Sequence, residues 1–175
     1  MGYNNEARNA KSNESKKRII DTALKLIAER GYDNVSIAQI AKEAGVSKGA
    51  FYIHFASKED LIEKEIALFY DDLKLEGDYR PLEKLEHFLL HSLAHIKASG
   101  LKMAQSWFSH ATLGSFYGKS KLAYDKEAIK EILGDEGKAN EVVSVYYGAL
   151  NLWCFTDGEI EPEQIVKNYL KGFKE

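Results

Sequence analysis

Apolar residues recur along this chain at steps of three and four rather than two, so the pattern predicts helices nearly throughout and no competing strand. The first helix is expected from Ser15 to Arg30, with Ile19, Ile20, Ala23, Leu24, Ile27 and Ala28 on its buried stripe and Gly31 ending it. The preceding residues are polar and read as a mobile arm over 1–14. Ser36 with Gln39 three residues on is a capping-box signature for a second helix, which closes at Gly45, and Ser47 opens a third. Ser57 followed by Asp60 starts a fourth, carried to about Leu75 by Leu61, Ile62, Ile66, Phe69, Tyr70 and Leu73. Pro81 suits the first turn of a fifth, with Leu82, Leu85, Phe88, Leu89, Leu93 and Ile96 on one face and Gly100 at its end. Further helices are expected over 101–112, 120–133, 138–155 and 162–174, the last again opened by a proline, Pro162. The fold class is therefore all-α, with about nine helices.

Helices two and three form a constellation of their own. Ala41 is small enough to let the third helix approach, Gly45 supplies a turn at positive φ, and Ile37, Ile40, Val46 and Phe51 anchor the pair to the first helix. The spacing predicts a helix-turn-helix with its motif over 36–55. The third helix is too short to persist alone, so Phe51 and Phe55 must lock it to the bundle. Its outer face, Lys48, Gly49, Ala50, Tyr52, Ile53 and His54, then combines a cation, small residues and amphipathic rings.

Composition changes this picture in two ways. The chain has 175 residues, one cysteine (Cys154) and a net charge of −3. No internal disulfide is possible, the first residues lack the apolar core of a signal peptide, and no stretch reaches membrane-spanning length, so a cytoplasmic protein with no membrane association is expected. The mild acidity conceals an asymmetry. Residues 1–60 hold 10 Lys and Arg against 8 Asp and Glu, whereas residues 61–175 hold 14 against 19. The positive end coincides with the helix-turn-helix, as phosphate binding requires.

From Val35 to Phe55, with the Tyr52-x-His54-Phe55 ending followed by Ser57-Lys58-Glu59-Asp60-Leu61, the sequence resembles the tetracycline-repressor (TetR) family of regulators. The resemblance covers about Ser15 to Leu68. It implies a helix-turn-helix DNA-binding domain over 15–60, a helical ligand-sensing and dimerisation domain over 61–175, and a connecting helix over 58–75. It further implies phosphate contacts from Ser36, Ser47, Tyr52 and Lys58, with Lys48, Gly49, Ile53 and His54 nearest the base edges. Ile53 is apolar where relatives often carry a polar or aromatic residue, and Ala38 offers no polar contact, so thymine methyls and DNA shape take a share of recognition. Each of these residues also has a purely structural use: the serines as caps, Lys48 and Lys58 as solvated surface, His54 as packing at a helix end.

Behind the head, the resemblance implies a pocket, and the aromatic supply nominates Phe88, His91, Met103, Trp107, Phe108, Phe116, Tyr117 and Tyr124 for an unidentified small-molecule effector. Plain core packing accounts for the same residues equally well. The last two long helices, with Tyr146, Tyr147, Leu150, Trp153, Ile165 and Tyr169, are the expected homodimer interface. His87, His91 and His95 are spaced by four along the fifth helix, with His110 on the next, leaving a metal- or pH-responsive regulator as the alternative. No ligand set completes a metal site, and no cofactor is implied. Nucleophile-elbow, phosphate-loop and H-E-x-x-H motifs are all missing, so no enzymatic activity is expected. The function expected is that of a ligand-responsive transcriptional regulator, a repressor binding a near-palindromic operator.

Overall fold

The three-and-four periodicity resolves into nine α-helices, one short 3-10 turn and no strand among the residues described in the computed structural model, which are 3–72, 78–111 and 116–173. Within them, the side chains of 3–9, 69–72, 107, 110, 111 and 116–118 are not described. The helices are α1 (Tyr3–Arg30), α2 (Ile37–Glu43), α3 (Lys48–His54), α4 (Lys58–Asp72), α5 (Pro81–Ala98), α6 (Leu101–Ala111), α7 (Phe116–Leu133), α8 (Glu136–Phe155) and α9 (Pro162–Lys171). The 3-10 turn Tyr32–Asn34 joins α1 to α2.

Two hydrophobic cores organise these elements. The front core gathers Ile19, Ala23 and Ile27 of α1, Ile40 and Ala41 of α2, Phe51 of α3, Phe55, and Leu61, Ile62 and Ile66 of α4. The rear core gathers Leu85, Phe88, Leu89 and Leu93 of α5 with Ala104, Ile129, Val142, Tyr146, Leu150, Trp153, Val166 and Leu170. α7 pairs with α8 and α8 with α9, while α4 also packs on α7 and α1 on α6. The boundary expected at residue 60 therefore runs inside α4, whose first half is a structural part of the front core. The expected end of that helix, residues 73–75, lies outside the described residues.

Two local differences from the sequence reading have physical causes. The polar stretch read as an arm is helical, because α1 begins at Tyr3 rather than Ser15. Residues 10–14 of it are exposed, and the apolar period that locates a helix by its packed face gave no signal there. α8 begins at Glu136 rather than Lys138: Asp135 accepts from the Lys138 N–H at 2.9 Å and caps the helix two residues earlier.

Ties between side chains hold the rear helices in register. Lys97 of α5 pairs with Glu161 and, at 2.9 Å, with Glu163 of α9. Gln105 of α6 donates to the Cys154 carbonyl at 2.7 Å and to Asp157 at 2.9 Å, closing the end of α8. No helix among the described residues is long and apolar enough to cross a membrane.

Candidate nucleic-acid interface

The front of the molecule is built from short helices that caps and one sharp turn hold in place. Ser36 and Gln39 form the expected reciprocal box: the Gln39 N–H donates to the Ser36 hydroxyl at 3.3 Å and the Ser36 N–H to Gln39 Oε1 at 2.8 Å. Ser47 accepts from the Ala50 N–H at 3.0 Å and opens α3. Between them Gly45 stands at φ +67, a conformation a side chain disfavours, and Val46 N–H returns to the Ala41 carbonyl at 2.9 Å. Both serines stay exposed, so their hydroxyls lie on the surface while serving as caps.

α3 buries Phe51 completely and turns its other side outward. Ser47, Lys48, Gly49, Tyr52 and Ile53 are exposed, Tyr52 at 49% and Ile53 at 80%. An isoleucine that open on a seven-residue helix contributes nothing to the front core. Gly49 is equally uncommitted: a Cβ there would meet only the Ser47 hydroxyl oxygen, at an ordinary 3.8 Å. Nothing inside the molecule requires glycine at that helical position, which lowers helix stability by about 0.5–1 kcal/mol relative to alanine.

Two residues expected on this face are committed elsewhere. Lys58 turns inward: its ammonium donates to the Tyr32 carbonyl and, at 2.8 Å, to the Val35 carbonyl, and lies 3.8 Å from the centre of the Tyr32 ring. Burial lowers its pKa, against the pull of Glu59 and Asp33. It is a staple between α4 and the 3-10 turn, reinforced by the Tyr32 hydroxyl donating to Glu59. Burial first, and that bond to Glu59 next, push the Tyr32 phenol well above its usual range. His54, at the end of α3, is half-buried, and its Nε2 shares a 2.9 Å hydrogen bond with the Ser15 hydroxyl of α1. Burial, then the charge of Lys16, lowers its pKa. Lys64 holds the His54 carbonyl at 3.2 Å from the other side. The outer face thus narrows to Ser36, Ser47, Lys48, Gly49, Tyr52 and Ile53.

Residues 19–64 match the family model described as bacterial regulatory proteins, tetR family. Over that segment the chain is similar to the TetR family. The HTH-type transcriptional regulator YuxN of Bacillus subtilis is 47% identical over 72 residues, which are 37% of this chain and 25% of that protein. AcrR of Shigella flexneri, another HTH-type transcriptional regulator, is 38% identical over 90 residues, 46% of this chain and 40% of AcrR. The chain thus spans less than half the length of these curated relatives. Beyond the head the likeness is one of fold. The crystal structure of the transcriptional regulator FadR from Bacillus subtilis, in complex with stearoyl-CoA, superposes with a TM-score of 0.58 at 21% identity, covering 89% of this chain and 95% of FadR.

The residues nominated in the rear half fall in several environments. Among the residues nominated for a pocket, Phe88 is fully buried core, Met103 and His91 are half-buried, Phe108 packs edge-on to Tyr147, and Tyr124 is 41% exposed. The side chains of Trp107, Phe116 and Tyr117 lie outside the described residues. A groove of about 410 Å³ opens in a different place, between the start of α8 and the end of α9, lined by Lys138, Glu141, Tyr169, Gly172 and Phe173. Of the histidine row, His87 and His95 are exposed and the His87 and His91 rings stack 6.2 Å apart. The described residues hold no group of three or more His, Cys, Asp or Glu side chains placed to grip a metal, and the His110 side chain is outside them.

The nominated dimer residues are mostly interior. Tyr146, Leu150 and Trp153 belong to the rear core, the Tyr147 hydroxyl donates to Asp125 Oδ2 at 2.6 Å, and Ile165 and Tyr169 are half-buried against that core. Size and apolarity pointed to them, yet neither says which way a helix faces. The outward stripe of α8 is Ser144, Gly148, Leu152 and Phe155, with Leu152 at 45% and Phe155 at 81% exposure. A Cβ added to Gly148 would meet nothing within 4 Å. The i, i+4, i+7 spacing of Gly148, Leu152 and Phe155 was available in the sequence.

A polar group built on one buried carboxylate also went unnoticed. Lys121 of α7 donates to Asp125 Oδ1 at 2.6 Å, and Asp125, wholly buried, also accepts from Tyr147. Burial, against the pull of Lys121, pushes the pKa of Glu65 on α4 up to about 7. Its position among polar residues between Ile62 and Ile66 made it look like ordinary helix surface.

Proposed function

We propose that the chain is a DNA-binding transcriptional regulator that acts as a homodimer and releases its operator when a small molecule binds the rear helices. The observation that carries this reading is the outer face of α3: Lys48, Gly49, Tyr52 and Ile53 are exposed and play no part in the front core. A cation, a gap where backbone can approach, a phenol and an apolar tip suit phosphates, a groove wall and thymine methyls. Dimerisation would use Gly148, Leu152 and Phe155 of α8, whose exposed apolar surface suits a second copy. Two reading helices related by a two-fold axis would sit about 34–36 Å apart, which makes the operator a near-palindrome. Ligand release would act through α4, whose first half is front core and whose length also packs on α7. An effector can weaken operator binding only by its differential affinity for the two arrangements of the heads. Regulation is taken as repression, the sign the resemblance implies.

Selection of bound sites from random DNA with the purified protein tests the reading. Enrichment of paired, inverted half-sites is expected, and Lys48→Ala or Tyr52→Phe should weaken binding to the selected site with the melting temperature unchanged. No enrichment, or full affinity in both variants, would sink it. An effector screen read as loss of operator binding begins with stearoyl-CoA, the molecule held by the Bacillus subtilis FadR structure.

A further inference from the structure

We infer that the part of α1 ahead of the family-matched segment is a second DNA-backbone contact element, in which Lys11 and Arg18 engage phosphate at the rim of the groove that α3 enters. The inference rests on the DNA-binding reading above and specifies where its electrostatic part resides. Residues 1–18 contain five Lys and Arg against two Asp and Glu, whereas residues 19–60 contain five against six. All the excess positive charge of the front therefore precedes the segment matched by the family model, residues 19–64. Inside that segment Lys58 is already used as an internal staple. The helix-turn-helix by itself supplies little net attraction to a polyanion.

The geometry places this charge beside the reading helix. α1 starts at Tyr3, and among the described residues the first of the front core is Ile19. Residues 10–14, together with Lys17 and Arg18, are exposed. Ser15 marks the side of α1 that meets α3, through its 2.9 Å hydrogen bond to His54. Lys11 and Arg18 stand four residues before and three after Ser15, on the same helical face. A seven-residue α3 is about 10 Å long. The major groove is about 12 Å wide, so an element abutting one end of a helix lying in it meets the bordering phosphates. Exposed basic residues on that side of α1, Lys11 and Arg18, fit a phosphate row.

The test compares the full-length protein with the double variant Lys11→Gln/Arg18→Gln and with a charge-matched control, Lys102→Gln/Lys119→Gln, exposed on α6 and α7. Glutamine has a helix propensity close to that of lysine and arginine, so α1 should persist; helicity and melting temperature check this. Operator affinity is measured across a salt series. Loss of two phosphate contacts should reduce the slope of log K against log salt by about 1.8 per bound subunit. Preference for the selected site over scrambled DNA should be retained, and the control should keep the wild-type slope. An unchanged slope in the double variant, or an equal fall in the control, would overturn the inference. Failure of the wild-type protein to bind DNA at all is a different result, and removes the DNA-binding reading itself.

Discussion

The front and rear of this molecule each close on a hydrophobic core of similar make-up, yet they treat their surfaces differently. In the front, the apolar residues of α2 and α3 are consumed by the core and the serines by caps, so whatever stays exposed on α3 has no internal employment. Ile53 and Gly49 stand out for that reason. In the rear, long helices bury most of their large residues, and exposure rather than residue type separates core from candidate contact surface: Tyr146 is hidden while Phe155 projects. A functional surface is legible from motif spacing where helices are short and every position is spoken for. On a long helix it emerges only once the packing is known.

The sharpest way to break this contrast is Tyr146→Ala. If Tyr146 is rear core rather than contact surface, its truncation should cost about 3–5 kcal/mol, seen as a large fall in melting temperature at any protein concentration. A small effect on stability with loss of self-association would reverse the assignment.

Next comes α4, through Glu65. Its pKa lies at about 7 in the folded chain against an ordinary 4.5. A carboxyl raised in this way favours the fold below pH 4.5, and that contribution is lost as pH rises through 7. Glu65→Gln should thus be more stable than wild type by about 2–3 kcal/mol at pH 8 and equal to it near pH 4. Denaturant melts at the two pH values decide the matter, and a gain of the same size at both would refute the desolvation argument.

Lys58→Met sharpens the front. Removing charged hydrogen bonds to two carbonyls should cost about 1–3 kcal/mol of stability, while the salt slope of DNA binding stays at the wild-type value because the ammonium faces inward. A slope reduced by about 0.9 per subunit with unchanged stability would return Lys58 to the phosphate-contacting set. The smallest stability effect is expected from Phe155→Ser, within about 0.5 kcal/mol for an exposed side chain. Sedimentation should nevertheless show weaker self-association, and an unaltered dimer would move the interface off this stripe.

Much of the architecture was legible in the residues alone. Gly45, the Ser36–Gln39 box, Ser47 and the two helix-opening prolines fix local geometry through backbone rules that act within a few residues, so α2, α3, α5 and α9 appear close to where the sequence pointed. The outer face of α3 was readable because a seven-residue helix anchored by Phe51 has only one way to face. The inward turn of Lys58 was not, since its carbonyl partners lie 26 and 23 residues away in sequence. Nor was the helical state of residues 3–14, which carry no apolar period to betray it.

What the sequence determined by itself is the all-helical class, the helix-turn-helix and the likeness of the head to the TetR family, because periodicity, capping and turn chemistry are local. Tertiary structure alone decided which large residues of α8 face inward, that Lys58 turns toward the 3-10 turn, and that Lys121 and Tyr147 converge on the buried Asp125. Those outcomes depend on which surfaces meet. Helix–helix packing brings together residues far apart in the chain, and the apolar period of any one helix does not name its partner.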